Sequence, residues 1–437
     1  MSDNDGKLTP NRGSKRVLIV SYYWPPSGGG GVQRWLKFAK LLPECGWTPI
    51  VVTPSNPDLP VHDDSLVDEA QGIQTWTFPI WEPSRAVKHL GSGGRLGAES
   101  TRRESLLSRC IKWVRGNVFV PDARVTWVRP TVKSLKRALK EQPVDLVVTT
   151  GPPHSMHLIG LALKQELGLP WVVDMRDPWS DMDYLDSFQM SNRVRRRIQA
   201  MEREVVSMAD RVITTSRGAL TTLEGVRAGM TPGAVLTNGW DRDDFQGLTP
   251  ADKPSGGIRR LGHFGALYGA RSASALWQEL ATQADEWTLV LGGPVTPEVQ
   301  QSMSRCGLQP ELLGSLPHRE SVQLMVGCDA LLVLHNDSDS AKRSTPGKMF
   351  ECLATPLPVL VVGPKDSDIE ALCAEWGFVF VAHHATNAAQ TMASFLENPP
   401  EVDASKRAAI AAAYERRVLT RDLAGIMDDC IRPEGQS

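Results

Sequence analysis

Three features of the sequence predict an α/β fold of two doubly wound parallel-sheet domains facing a central cleft. Short apolar runs, beginning with Val17-Leu18-Ile19-Val20, alternate along the chain with segments that are apolar at helical spacing. Such alternation places helices on both faces of a parallel sheet. The pattern starts afresh after residues 246–257, where Pro250, Pro254, Gly256 and Gly257 give a linker composition. The loops of unusual chemistry all fall at strand ends, where ligands of such sheets bind. At 437 residues the chain also exceeds one ordinary core.

The elements follow in order. Strands are expected at 16–21, 50–53, 75–78, 145–149, 171–174 and 211–214, and helices at 130–140, 155–167, 194–208 and 217–226. In the helix at 194–208 the apolar face is Val194, Ile198, Met201, Val205 and Met208. Between the first strand and a helix marked by Val32, Trp35, Leu36, Ala39 and Leu42 lie Gly28, Gly29, Gly30 and Gly31. This is no dinucleotide fingerprint, because Gln33 and Arg34 stand where glycine is needed, and no Walker loop, because no GKS or GKT follows. Four glycines either let backbone close around a charged group or form a flexible turn. The second half has strands at 261–264, 287–291, 330–334, 359–362 and 378–381, with helices at 274–282 and 297–306. The expected domains are 15–245 and 258–415, joined by the linker 246–257, with a helix at 416–431 packing back on the first domain.

Composition excludes several classes. Apolar content of 41% and charged content of 22% describe a soluble globular protein, and a net charge of −2 argues against dedicated nucleic-acid binding. No run of eighteen apolar residues exists, and the first fourteen residues lack a signal-peptide core, so a cytoplasmic location is expected. The seven cysteines are scattered without CxxC spacing and read as reduced thiols. An insertion at about 83–120 departs from this balance: from Arg85 to Arg115 there are eight Lys/Arg and two Glu, a net +6. Leu107, Cys110, Ile111 and Val114 repeat there at helical spacing beside Arg103, Arg109, Lys112 and Arg115. Such a helix is either solvated and packed on its own domain or lies on an anionic membrane face.

The stretch Thr345-Pro346-Gly347-Lys348 reads as a helix start, with Thr345 as cap and Pro346 in the first helical position. Free amides and the helix dipole make such a start either an anion site or an ordinary capped helix. Glu351, one turn on, faces the same side and is placed to accept from a polyol such as ribose. Asp174 and Asp177 end a buried strand. Asp177 orients an acceptor hydroxyl, caps a helix beginning at Pro178, or pairs with Arg176. Three DxD triplets, at 181–183, 337–339 and 366–368, lie in polar loops, and no metal site is expected from them.

Taken together, Ser21-Tyr22-Tyr23-Trp24-Pro25-Pro26 with the glycine loop, Gly151-Pro152-Pro153-His154-Ser155, Asp174-Met175-Arg176-Asp177-Pro178-Trp179, Gly265-Ala266-Leu267-Tyr268, and Pro346-Gly347-Lys348 with Glu351 resemble family 4 retaining glycosyltransferases of the GT-B fold. The resemblance covers nearly the whole chain. It implies transfer of a sugar, with retention, from a UDP- or GDP-linked donor to a hydroxyl of a lipid-linked or small-molecule acceptor, in bacterial surface polysaccharide or related glycan synthesis. It implies no cofactor and no metal, and a cytoplasmic enzyme, peripheral on the inner membrane face where the acceptor is lipid-linked. Carried over by position, Glu351 holds the ribose, and Gly347, Lys348 and Arg271 hold the diphosphate. Ser315, Leu316 and Pro317 flank the base, and Gly28 to Gly31 approach the phosphate from the first domain. His154 and Asp177 join Arg271 as catalytic candidates, His154 supporting the donor sugar.

The chain departs from the family pattern at three positions. Arg343 stands where a second glutamate is usual, Ala266 where a second basic residue is usual, and Thr150-Gly151 where a histidine is usual, with His154 and His157 nearby. Arg343 and Ala266 favour the alternative of a nucleotide-sugar-binding partner without transfer activity. A hydrolase or epimerase on the same fold is a third reading.

Overall fold

The structure is a computed structural model, and it describes residues 14–59, 62–83, 106–182, 185, 188–226, 231–248, 257–271 and 273–432. It divides into two compact units, Met1–Thr215 with Ala219–Leu236 and Thr420–Ser437, and Ser216–Gly218 with Thr237–Leu419.

The first unit holds seven parallel strands: β1 (Lys15–Val20), β2 (Trp47–Pro54), β3 (Gln74–Phe78), β4 (Leu146–Gly151), β5 (Trp171–Met175), β6 (Arg211–Thr214) and β7 (Gly233–Val235). Their order is β3-β2-β1-β4-β5-β6-β7. β1 pairs with β2 through Lys15↔Trp47 to Val20↔Val52 and with β4 through Val17↔Leu146 to Val20↔Thr149. The inner strands β1, β4, β5 and β6, with β2, are largely buried, as parallel strands covered by helices on both faces are, while the edge strands β3 and β7 stay partly exposed. Trp35, Trp47, Trp127, Trp171 and Trp179 are fully buried in this unit.

The second unit repeats the plan with β8 (Arg259–Phe264), β9 (Trp287–Gly292), β10 (Glu311–Gly314), β11 (Ala330–Leu334), β12 (Val359–Gly363) and β13 (Val379–Ala382). The order is β10-β9-β8-β11-β12-β13, all parallel. In each sheet the chain reverses its direction of travel once, between β1 and β4 and between β8 and β11. A crevice forms at that switch point, beyond the carboxyl ends of the two strands.

Several boundaries differ from the sequence expectation. The units divide at Leu236/Thr237, ahead of the linker composition at 246–257, of which 249–256 lie outside the described residues. Trp240 ties the segment after the division to the second unit, its N–H and indole N–H donating to the Tyr414 and Ala411 carbonyls at 3.0 and 2.7 Å. β7 is an additional strand. The helix expected at 130–140 runs over Val125–Glu141 with Pro130 inside it. In the helix Asn192–Met208, Ile198, Val205 and Val206 are buried with Glu202, while Met208 is 41% exposed. Glu202 takes the inward place because it accepts from the Trp179 and Ser180 amides at 2.6 and 3.2 Å. Residues 84–105 of the basic insertion lie outside the described residues, and its helix spans Leu106–Asn117. The last helix, Arg416–Ile431, carries Asp428, which accepts from Lys15 and, at 2.9 Å, from Trp47 Nε1 in the first unit. All seven cysteines are free thiols.

Candidate functional site

In the second unit a pocket of about 50 Å³ opens at the β8/β11 switch point, lined by His263, Gly265, Arg271, Pro346 and Lys348 among others. Arg271 ends a single 3-10 turn and is fixed by donating from Nε to Asn336 Oδ1 at 2.7 Å and from Nη1 to the Ala266 carbonyl at 2.9 Å. Burial lowers its pKa from the ordinary arginine value.

The helix at Lys348 spans only Gly347–Leu353. Pro346, with extended backbone, occupies the cap position, one residue later than the sequence suggested, and no side chain caps the helix. The space beside the Gly347 Cα is open. Lys348 Nζ donates to Glu351 Oε2 at 2.6 Å and reaches Ser321 Oγ at 3.4 Å. Glu351, 9% exposed, also accepts from His318 Nε2 at 3.1 Å. Burial pushes the Glu351 carboxyl up, but Lys348 and His318 outweigh it and hold the group well below the usual carboxylate range.

His318 opens the helix His318–Val326 directly after Pro317. The segment Ser315-Leu316-Pro317 is therefore tied to Glu351 through one imidazole, whose Nδ1 lies 3.7 Å from Asp244 Oδ2. His318 was not among the residues the sequence singled out; its signal was only that it follows Pro317 at a helix start. Arg271, Gly347, Lys348, Glu351 and the turn at 315–317 thus lie in one unit around one switch point.

The remaining candidates lie in the first unit, around the ends of β1, β4 and β5. Gly29, at φ 103°, needs glycine for its backbone, and Gly30 begins the helix Gly30–Leu41. Gly31 needs glycine for another reason: a Cβ there would stand 2.5 Å from Arg176 Nη1. Arg176 is pinned by donating from Nε to the Gly151 carbonyl at 2.7 Å and from Nη2 to the Pro152 carbonyl at 3.0 Å. Gly28 is half-buried beside them.

Asp174 is spent inside the fold. It accepts from Arg34 Nε and Nη2 at 3.2 and 3.0 Å, Trp35 Nε1 at 2.6 Å and Thr150 Oγ1 at 2.8 Å, with both charged side chains wholly buried. Asp177 does not cap a helix at Pro178, and Arg176 acts on it through charge while its own hydrogen bonds go elsewhere. The amides after Pro178 go to Glu202, and the Arg176 contacts above go to carbonyls. Burial raises the Asp177 pKa, with Arg176 opposing.

His154 is enclosed. It is 2% exposed, stacked on Trp179 at 5.3 Å and 1°, and both ring nitrogens are buried. Burial lowers its pKa, so the ring is neutral. The Trp179 indole covers one face of the ring, and neither nitrogen has a hydrogen-bond partner among the described residues. His157 lies beside it, with Nδ1 2.9 Å from Thr149 Oγ1.

Comparison with known proteins adds a partial family match and a shared fold. Residues 29–239 match the glycosyl transferase 4-like domain. No curated protein sequence matches the chain. Among solved structures, HepE of Anabaena, solved with UDP and glucose, superposes with TM-score 0.64 at 16% identity, over 95% of this chain and 100% of that one. Sucrose-phosphate synthase of Thermosynechococcus elongatus gives 0.65 at 13% over 95% and 98%. WaaG, a glycosyltransferase involved in lipopolysaccharide biosynthesis, gives 0.54 at 14% over 95% and 98%. The chain has the GT-B fold, two parallel-sheet α/β domains.

Proposed function

We propose that the chain moves a sugar, with retention, from a nucleoside-diphosphate sugar to a hydroxyl acceptor in glycan synthesis. The observation that carries this reading is the pocket at the β8/β11 switch point, lined by Arg271 and Lys348, with Lys348 paired to a buried, ionised Glu351. Two cations suit a diphosphate, and a carboxylate one helical turn away suits the ribose hydroxyls. HepE, of the same fold, was solved with UDP and with UDP-glucose, which supports UDP as the first nucleotide to try, with GDP the second. WaaG, named for lipopolysaccharide biosynthesis, supports a surface-glycan role.

In the reaction the acceptor oxygen bonds to the anomeric carbon as the sugar–phosphate bond breaks. The acceptor proton goes to the leaving phosphate on the same face. Arg271 and Lys348 stabilise the charge that develops there, a contribution commonly worth ~10²–10³-fold in rate. These cations make a metal unnecessary, so activity should survive EDTA. Asp177 is assigned to orient the acceptor hydroxyl, and His154 to hold Trp179 in place without touching substrate.

The test is incubation with labelled UDP-, GDP-, ADP- and TDP-sugars, with and without acceptor. Sugar on the acceptor is expected. Free sugar alone would make the protein a hydrolase, a 2-epimer an epimerase, and no change a binding partner. Arg271→Ala should weaken nucleoside-diphosphate binding at least about tenfold and leave the bare nucleoside nearly unchanged. Equal losses for both would mean a folding defect.

A second part of the reading is peripheral membrane binding through the helix Leu106–Asn117. Trp113 and Val118 are 50% and 58% exposed, and Trp81, 62% exposed, lies with its ring 6.3 Å from Phe119. Arg109 and Lys112 lie on the same helix. Exposed tryptophan with basic neighbours fits an anionic lipid interface. No described helix is long and apolar enough to cross a membrane. In co-sedimentation, the protein should pellet with anionic vesicles at low salt and be released by salt or by Trp113→Ser with Lys112→Ser. Protein remaining in the supernatant under every condition would point to a soluble acceptor.

A further inference from the structure

His263 lies near the end of β8, 5% exposed, with its ring against the switch-point pocket. The Leu332 carbonyl accepts from its Nδ1 at 3.0 Å. A carbonyl cannot donate, so Nδ1 carries the hydrogen and Nε2 is left with a lone pair. Nε2 is buried and has no hydrogen-bond partner among the described residues. It faces the open side of Gly265, where an added Cβ would stand 3.5 Å away. An acceptor-only nitrogen thus sits in the wall of a pocket that two cations, Arg271 and Lys348, also line.

That arrangement poses a chemical problem. The oxygens of an ionised diphosphate have no hydrogen to give, so they would meet the Nε2 lone pair with repulsion. We propose that His263 is a third cationic ligand of the nucleoside diphosphate: neutral in the free protein, it takes a proton from solution as the anion enters and donates from Nε2 to a phosphate oxygen. One proton moves from solvent to Nε2, and no covalent bond changes. The inference rests on the reading of this pocket as the donor site.

The electrostatics agree. Burial, with Arg271 and Lys348 adding to it against the bond to Leu332, holds the His263 pKa down to about 4. The other titratable groups of the packed elements do not supply a counter-charge. Glu351 is committed to Lys348 and His318, burial pushes the Cys352 thiol up to about 12, and His335 keeps Nε2 on the Ala341 carbonyl and Ser344 hydroxyl. An entering diphosphate cancels the two cations that oppose protonation and adds its own attraction. The bound value therefore lies above the free one. Affinity falls as pH rises from about 4 through the bound value, by at most about tenfold per pH unit.

Calorimetry of the whole protein with UDP, GDP and ADP at pH 6, in two buffers of different ionisation heat, tests this. The ligand's own titration contributes equally to wild type and His263→Gln, so the difference reports His263. The expected result is extra proton uptake in the wild type, approaching one proton, and a pH slope of affinity in the variant reduced to the ligand's own share, with neither effect for the bare nucleoside. Equal uptake in both proteins overturns the inference and leaves the donor reading standing. No binding of any of the three diphosphates removes the donor reading and the inference together. If the variant fails to fold, nitrogen NMR of the histidine-labelled wild type decides. One of the nine imidazoles should become doubly protonated when the diphosphate is added, and no change in any of them overturns the proposal.

Discussion

Glu351 is held by Lys348 and His318 before any ligand arrives. Its pKa is depressed, so its stabilisation is present above the unfolded value of roughly 4.3 and is lost as pH falls through the lower folded value. Glu351→Gln should cost about 2–3 kcal/mol near neutrality, a loss that shrinks in acid as the wild-type carboxyl protonates. Denaturant unfolding at pH 7 and pH 3 checks this; an equal loss at both would mean that the charge is not what matters. The buried histidines push the same way. His263 and His335, both lowered to about 4, resist protonation that the unfolded chain accepts from about pH 6.5 downward, so the native state loses stability there too. Lys348 and Glu351 drew notice in the sequence because they follow a recognisable helix start, and Arg271 only through the family resemblance. His263 did not, since its tautomer is set by Leu332, 69 residues away.

At the scale of elements, the helix Ser155–Leu167 shows what a sequence window misses. Its bounds follow from its apolar spacing, yet its own cap position, His154, makes no side-chain cap bond. The cap comes from Asp122, whose Oδ2 accepts from the Ser155 amide at 2.9 Å and whose Oδ1 accepts from the Ser155 hydroxyl at 2.8 Å. Asp122→Ala should therefore destabilise the first unit by about 1–2 kcal/mol, and Asp122→Asn should recover part of that. Identical unfolding midpoints for wild type and both variants would refute the cap. The helix His318–Val326 escaped notice because only Val322 and Met325 mark its apolar side, with His318 and Ser321 buried among them. β7 escaped because three residues are too few to show a pattern.

At the scale of the whole molecule, the repeated strand order was legible because buried parallel strands advertise themselves as unbroken apolar runs. The division at Leu236/Thr237 was not, because Trp240 and Phe245 bind a polar-looking stretch to the second unit. Asp428 links the last helix to Lys15 and Trp47 of the first unit. Ending the chain before Thr420 should lower the thermal midpoint of the first unit by several degrees, and Asp428→Ala should reproduce part of the shift. An unchanged midpoint on truncation would show that the helix contributes nothing there.

Because residues 420–437 belong with strands that begin at Lys15, the first unit cannot be completed as it emerges from the ribosome. Its final segment follows Leu236 by 184 residues (420 − 236). At typical synthesis rates that is a wait of roughly 10–40 s. During that time Trp47 Nε1 lacks its acceptor on Asp428, and the face that the last helix covers stands open to solvent or to a chaperone.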